Sequence, residues 1–334
     1  MDPTPDPTQA SADSDDGLIC AYQLDGKGGG RPRGWADKLE AGDEGVLWVH
    51  LDFAHPNGRA WIQKQSGLDP NVVEALLSDE SRPRSFEYDT GILTILRGVN
   101  TNPSEDPEDM VSVRVWTEPG LIISTRRRRM MSIMDIRNAI EAGKGPVSPG
   151  TFLVFLADRL SDRIGHTVES IEDSLDKAEE GSGSGATLAY RRTLGEIRRK
   201  TARLRRYLAP QRDALDRLSR SRTALFAAGE LAMLQELTSR MTVFIEEMDL
   251  SRERAMVLQE ESLSVLAAEQ NARMLVLSIV AAVFLPLAFF TGLMGMNVAG
   301  LPGLENSWAF WIVLGLMFSV AGAILGYFKF KKWI

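Results

Sequence analysis

The strongest pattern in the chain lies near its C-terminal end, where two apolar runs, 274–294 and 308–328, pass without one acidic or basic side chain. At about 1.5 Å rise per residue, a helix of about 21 residues covers roughly 30 Å, the hydrocarbon thickness of a bilayer. A core helix of a soluble protein can be equally apolar, but two such runs joined by the short segment 295–307 predict a transmembrane helical hairpin. Each helix satisfies its own backbone hydrogen bonds, as lipid demands. Pro286 stands inside the first run, where it removes a backbone donor and is expected to kink the helix.

Upstream, the periodicity is that of a mixed α/β region. Short runs rich in Val, Ile and aromatic residues predict strands at 18–22, 46–51, 92–96, 111–116 and 121–124. Helical patterns fall at 58–65, 70–77 and 131–142, the second opened by Asp69-Pro70, a capping residue followed by proline at the first turn. From about Thr151 the pattern turns to long helices. One runs to Glu180 and is acidic, the Gly/Ser stretch 181–185 ends it, and the next, from about Thr187, is dense in arginine. That order predicts an antiparallel hairpin paired through opposite charge. After a break at Gly229, a third helix reads without interruption from Glu230 to Pro286, about 57 residues and roughly 85 Å, a stalk that continues into the first apolar run.

The expected organisation is therefore an acidic disordered tail at 1–16, an α/β domain at 17–150, a helical hairpin and stalk at 151–272, and a two-helix transmembrane domain at 273–334. The fold class is an α+β membrane protein. The whole chain, 334 residues with 25% charged and a net charge of -7, leaves ample polar sequence for a soluble domain ahead of the hairpin. Arg273 precedes the first span and Lys329, Lys331 and Lys332 follow the second, while the segment between carries only Glu305. Positive residues stay inside, so both ends are expected to be cytoplasmic and the connecting loop external. Trp308 and Trp333 suit the two interfaces. The N-terminal stretch lacks the basic-then-apolar order of a signal peptide. With the single cysteine Cys20 there is no intramolecular disulfide framework.

Chemistry centres on Gly295-Met296-Asn297, just after the first span. The amide oxygen of Asn297 can accept from the water of a hydrated cation, and neutral oxygens recruit an ion without trapping it. Capping of the helix is the alternative role for Asn297. Counting back by threes and fours, Gly292, Ala288, Leu285, Ala281, Ser278, Met274 and Asn271 form a stripe of small or unbranched residues, the candidate pore face. The same stripe could instead pack on the second span. It holds no Asp, Glu, His or Cys, so no direct ligand set for a metal is assigned and an ion is expected to cross at least partly hydrated. Glu305, Glu253, Glu260 and Glu261 are candidates for attracting cations. Two spans cannot enclose an aqueous path, so a pore requires several copies about a symmetry axis.

Other clusters carry less. His50, Asp52 and His55 could be drawn as a metal site, but a strand puts 50 and 52 on one face with 55 beyond it, and a structural role at the strand's end is favoured. His166 stands alone on the acidic helix. Arg126, Arg127, Arg128 and Arg129 lack interleaved aromatics, and a solvated strand exit or subunit contact is expected rather than nucleic acid. No phosphate-cradling glycine loop or nucleophile elbow is present, and no enzyme activity or bound cofactor is expected.

With Gly295-Met296-Asn297 after the first of two C-terminal spans, the chain resembles the CorA-type metal-ion transporter superfamily. Within it, the chain is most similar to the ZntB zinc-transporter branch, through residues 48–56 (WVHLDFAHP), 96–100 (LRGVN), 208–213 (LAPQRD) and 297–303 (NVAGLPG). Met296 keeps the CorA form of the tripeptide. The resemblance implies a homopentameric funnel of α/β domains and stalk helices, with Asn297 of each copy in a ring at the mouth of a pore lined by the first span. It also implies a bacterial inner-membrane location and import of a divalent cation, zinc with protons in that branch. A CorA-like magnesium or cobalt channel is the alternative within transport. A membrane-anchored cytosolic binding scaffold is the alternative outside it.

Overall fold

The computed structural model describes residues 16–37, 39–40, 45–79, 82–181, 188–296 and 307–331. The boundary between two compact units falls between Gln259 and Glu260.

The first unit is built on a seven-stranded sheet: β1 (Leu18–Leu24), β2 (Gly30–Arg33), β3 (Val46–Asp52), β4 (Arg84–Glu87), β5 (Ile92–Gly98), β6 (Val111–Glu118) and β7 (Leu121–Arg126). Their order across the sheet is β2-β1-β3-β7-β6-β5-β4. Only the central β3–β7 pair is parallel, with Trp48 opposite Ile122 and His50 opposite Ser124. The other neighbours are antiparallel. The five sequence-predicted strands are all present. β2 and β4 were not expected; they are the two edges of the sheet, short and polar, and therefore without an alternating signal.

Alternate residues of the central strands feed two cores. Leu47, Val49, Leu51, Leu121, Ile123 and Trp116 turn toward α1 (Pro56–Lys64) and α2 (Pro70–Leu77). Trp48, Ile122, Val113 and Val115 turn toward α3 (Met131–Glu141), α4 (Pro149–Glu180) and α5 (Leu188–Ser219). Trp48 is wholly buried, stacks on Tyr22 at 6.1 Å and meets Phe152 of α4 at 5.1 Å, joining sheet to helix. Each of α1, α2 and α4 begins the same way, with proline in the first turn behind a capping side chain: His55, Asp69 and Ser148. Gly58 sits where a β-carbon would come within 2.3 Å of the Asp52 carbonyl, so the entry of α1 against the end of β3 requires glycine there.

α6 (Ala228–Met294) is one helix of 67 residues. It starts before the expected break, so Gly229 lies inside its first turn, and helical bonding continues through Pro286. In the first unit it buries Leu234, Leu237, Met241, Ile245, Met248 and Leu258 in the core shared with α4 and α5. The expectation that acidic α4 pairs its charges with basic α5 is corrected. Among the described residues, cross-helix partners of the α4 carboxylates lie on α6: Arg240 reaches Asp162 at 3.0 Å and Asp158 at 3.6 Å, and Arg254 reaches Asp176 at 2.8 Å and also Glu179. Basic α5 likewise turns to α6, through Arg205–Asp249 at 2.6 Å and Arg198–Gln259 at 2.6 Å. The α4–α5 contact itself is apolar, made by residues such as Leu175, Leu194, Ile197 and Leu204. These pairings also fix direction: α4 and α6 run parallel, and α5 runs against both.

The second unit holds the rest of α6 and α7 (Ala309–Phe330), both long and apolar enough to cross a membrane. The expected tail, apart from Asp16, lies outside the described residues, as do Asn297, Glu305, Lys332 and Trp333.

Candidate ion-conducting site

The apolar end of α6 finishes at Met294, and the backbone closes with two last bonds: Gly295 N to Thr291 O at 2.9 Å and Met296 N to Leu293 O at 3.4 Å. A β-carbon on residue 295 would lie 3.1 Å from the Thr291 carbonyl, so glycine lets the last turn tighten without displacing that oxygen. The Thr291 hydroxyl is within hydrogen-bond distance of the carbonyls of Leu287 and Ala288, at 3.1 and 3.0 Å, one turn back. Met296 is exposed. Asn297, the proposed polar oxygen of the entry, follows directly but lies outside the described residues.

Every residue of the candidate pore stripe, Asn271, Met274, Ser278, Ala281, Leu285, Ala288 and Gly292, is exposed in the single chain. The half-covered residues of this stretch form a different stripe, Ile279, Ala282, Val283, Pro286, Leu287 and Phe290, spaced by threes and fours. α7 has a matching half-covered stripe that includes Val313, Leu314, Met317, Ala321 and Ile324. Within a unit containing only these two long helices, that is the pattern of two helices packed along those faces. The candidate stripe is then left to lipid or to another copy. No charged or histidine side chain occurs on α6 beyond Arg273 or on α7 before Lys329.

Among the described residues, the cation-attracting candidates do not form a ligand cluster. Glu253, Glu260 and Glu261 are exposed, and no group of three or more His, Cys, Asp or Glu side chains among the described residues could hold a metal ion. Glu247, a stalk carboxyl, has its pKa held above its ordinary value, first by partial burial and then by the negative charges of Glu172 and Glu169 on α4.

The histidine cluster dissolves into structural roles. His50 is buried in β3 with its Nδ1 2.8 Å from Ser124 Oγ, which also accepts from Trp48 Nε1 at 2.8 Å. Burial, and then the charge of Arg126, hold its pKa well below the ordinary value, which keeps the imidazole neutral. His55 caps α1 by accepting from Asn57 N, and Asp52 accepts from Ala54 N at 2.8 Å. His166 is exposed beside Glu169. The arginine run is also not a uniform solvated exit: Arg126 is buried at the end of β7, whereas Arg127 and Arg128 pair with Asp79 at 2.8 Å and Glu105 at 3.0 Å.

Two stretches that carried the resemblance, far apart in sequence, meet in space. Gln211 Oε1 accepts from Arg97 N at 2.7 Å, and the Arg97 guanidinium lies 4.1 Å over the Tyr207 ring. Sequence reasoning missed Arg114, an arginine 1% exposed on β6. Its only signal was a charged residue among the alternating valines of 111–116.

A long helix leaving an α/β unit to become the first of two apolar helices, with Gly-Met-Asn at its end, is the plan of one class of metal-ion transporter. The family model for the CorA-like Mg2+ transporter protein matches residues 43–332, and the chain belongs to that family. It is 37% identical over 322 residues to the divalent cation transporter CmaX of Pseudomonas aeruginosa, covering 95% of this chain and 97% of that protein. The solved structure of full-length CmaX superposes with a TM-score of 0.83 over 95% of this chain and 98% of that one. The zinc transport protein ZntB of Yersinia enterocolitica is 35% identical over 318 residues, covering 95% and 96% of the two chains. The CorA magnesium transporter of Methanocaldococcus jannaschii, at 18% identity and a TM-score of 0.80 over 94% of this chain and 98% of that one, shares the fold.

Proposed function

We propose that this chain imports a divalent cation, zinc first among them, across a bacterial inner membrane as a homopentamer, with both termini cytoplasmic. The ion enters at a ring of Asn297 amides and passes at least partly hydrated along Asn271, Met274, Ser278, Ala281, Leu285, Ala288 and Gly292. The observation that carries this reading is the apolar end of α6 itself. It keeps one stripe half-covered and this second stripe exposed, and it finishes at Gly295-Met296 in a chain that matches the family over 43–332. Relatives named for zinc transport support zinc as the cargo. Absence of Asp, Glu, His, Cys, Lys and Arg from both apolar runs puts any proton coupling on Glu305, on carboxylates outside the spans such as Glu253, Glu260 and Glu261, or on water.

Purified protein in liposomes, loaded with zinc, magnesium, cobalt or nickel outside and assayed with and without a pH gradient, tests the proposal. Zinc uptake that rises with the proton gradient and falls at least about tenfold in Asn297→Ala is expected, the loss of roughly 1.4 kcal/mol of entry stabilisation. Magnesium flux alone, indifferent to pH, would replace zinc and proton coupling by a magnesium channel. Zinc flux unchanged in Asn297→Ala would remove the entry ring.

A further inference from the structure

Within the first unit, where the end of β5, the start of β6 and α5 come together, lies a cavity of 720 Å³. Small-molecule sites fall at about 300–1,000 Å³, whereas one water occupies about 30 Å³. The lining is strongly cationic: Arg97, Arg114, Arg127, Arg128, Arg203 and Arg206 face three carboxylates. Those carboxylates are already engaged. Asp79 pairs with Arg127 at 2.8 Å, and Glu108 and Asp109 lie 3.9 and 3.7 Å from Arg203; beside the lining, Glu105 pairs with Arg128 at 3.0 Å and Asp106 lies 3.8 Å from Arg203.

Arg114 is the buried arginine of this lining. It is 1% exposed, its guanidinium rests 4.7 Å over the Phe53 ring, and its Nη2 donates to the backbone carbonyls of Ser78 and Asp79. Its Nε and Nη1 are buried with no hydrogen-bond partner. A buried guanidinium with two unmatched donors is costly unless an anion accepts from them. Burial, and then the charge of Arg97, lower its pKa only to about 10, so it keeps its proton at neutral pH. Arg97 and Arg206 lie 4.1 and 5.5 Å from the Tyr207 ring, holding two further guanidinium planes at the cavity wall.

We propose that this cavity binds a small anion carrying two or more phosphates, of pyrophosphate or nucleotide class. Guanidinium groups match phosphate oxygens in paired hydrogen bonds. Six arginines stand against five carboxylates within ion-pair reach, so recognition rests on the matching of guanidinium planes to phosphate oxygens rather than on net charge, and the volume admits more than a single phosphate. The site gives the first unit an anion input separate from the ion path on α6, and it does not depend on which cation is carried.

Calorimetric titration of the full chain in detergent, at constant ionic strength and with chloride as the control anion, tests it with inorganic pyrophosphate and with ATP as probes. Saturable binding is expected, weakened about tenfold for each guanidinium removed. The variants are Arg114→Gln and the surface double variant Arg128→Gln/Arg206→Gln, whose unliganded melting temperatures verify folding. Equal binding of the two probes assigns recognition to the phosphate chain, and binding of ATP alone assigns it to a nucleotide; both support the site. Lack of saturable binding by either probe at millimolar concentration overturns it. So does affinity unchanged in the double variant, which decides the matter if Arg114→Gln does not fold.

Discussion

α6 is the same helix in both units, yet it meets opposite conditions along its length. In the first unit it buries a stripe that includes Leu234, Leu237, Met241 and Met248, and arginines on its flanks are matched by carboxylates of α4. From Asn271 to Met296 no residue of it is buried, and none of α7 is. A folded chain does not leave such apolar surface to water. The first unit therefore owes its stability to its own cores, whereas the second requires a medium that supplies what the chain does not.

The largest effect should come from the self-sufficient unit. Trp48→Ala removes the side chain that joins β1, β7 and α4, and thermal unfolding in detergent should report a loss of about 3–5 kcal/mol. A smaller cost would mean that the sheet and α4 are held together chiefly by other contacts. Next, one kind of substitution should have opposite outcomes at two exposed apolar positions. Phe318→Arg, at a position 71% exposed on α7, should cost about 3–4 kcal/mol in membrane-insertion assays. Val257→Arg, 59% exposed on α6 in the first unit, should stay within about 0.5 kcal/mol in thermal unfolding. A large loss at Val257 would reveal a neighbouring copy covering that face.

Acid should separate the units more gently. Buried His50 has a depressed pKa and stays neutral in the fold, while the unfolded chain takes up a proton near about pH 6.5. The stability it contributes is complete above that pH and falls as pH drops below it, by at most about 1.4 kcal/mol per pH unit. Melting temperatures between about pH 7.5 and about pH 5 should fall more steeply for the parent chain than for His50→Gln. Equal slopes would show that His50 does not control this acid response.

Much of this contrast is legible in sequence because its causes are local. α2 occupies 70–77 as expected, since Asp69 and Pro70 fix its start. Uncharged length alone marks the two apolar helices. Edge strands β2 and β4 were illegible for the converse reason: Gly-Arg-Pro-Arg and Arg-Ser-Phe-Glu bury little, and their pairing is decided by neighbours distant in sequence. Charge patterning showed that α4 needed partners but assigned them to α5, because opposite sign along two neighbouring helices does not reveal that the matching arginines stand on α6. Arg114 stood out only as a charge among valines, because strand periodicity places a side chain on a face without revealing what else converges there. At the candidate pore, the motif and the uncharged stripe can be pointed to in sequence, but whether the stripe lines a path depends on assembly, a property of several chains that one sequence encodes only indirectly.

One carboxylate has a mechanical consequence. Glu230 closes the start of α6 by accepting from Ala227 N at 2.7 Å, and it also accepts from Ser148 Oγ, the cap of α4, at 3.1 Å. Two parallel helices are thus pinned at their common beginning and pinned again farther along by Arg240 and Arg254. Sliding one past the other by a turn, about 5.4 Å, would break all three fastenings together. A push on the start of α4 is consequently carried along the pair as tilt or rotation rather than lost as slippage: α4 and α6 behave as a keyed shaft.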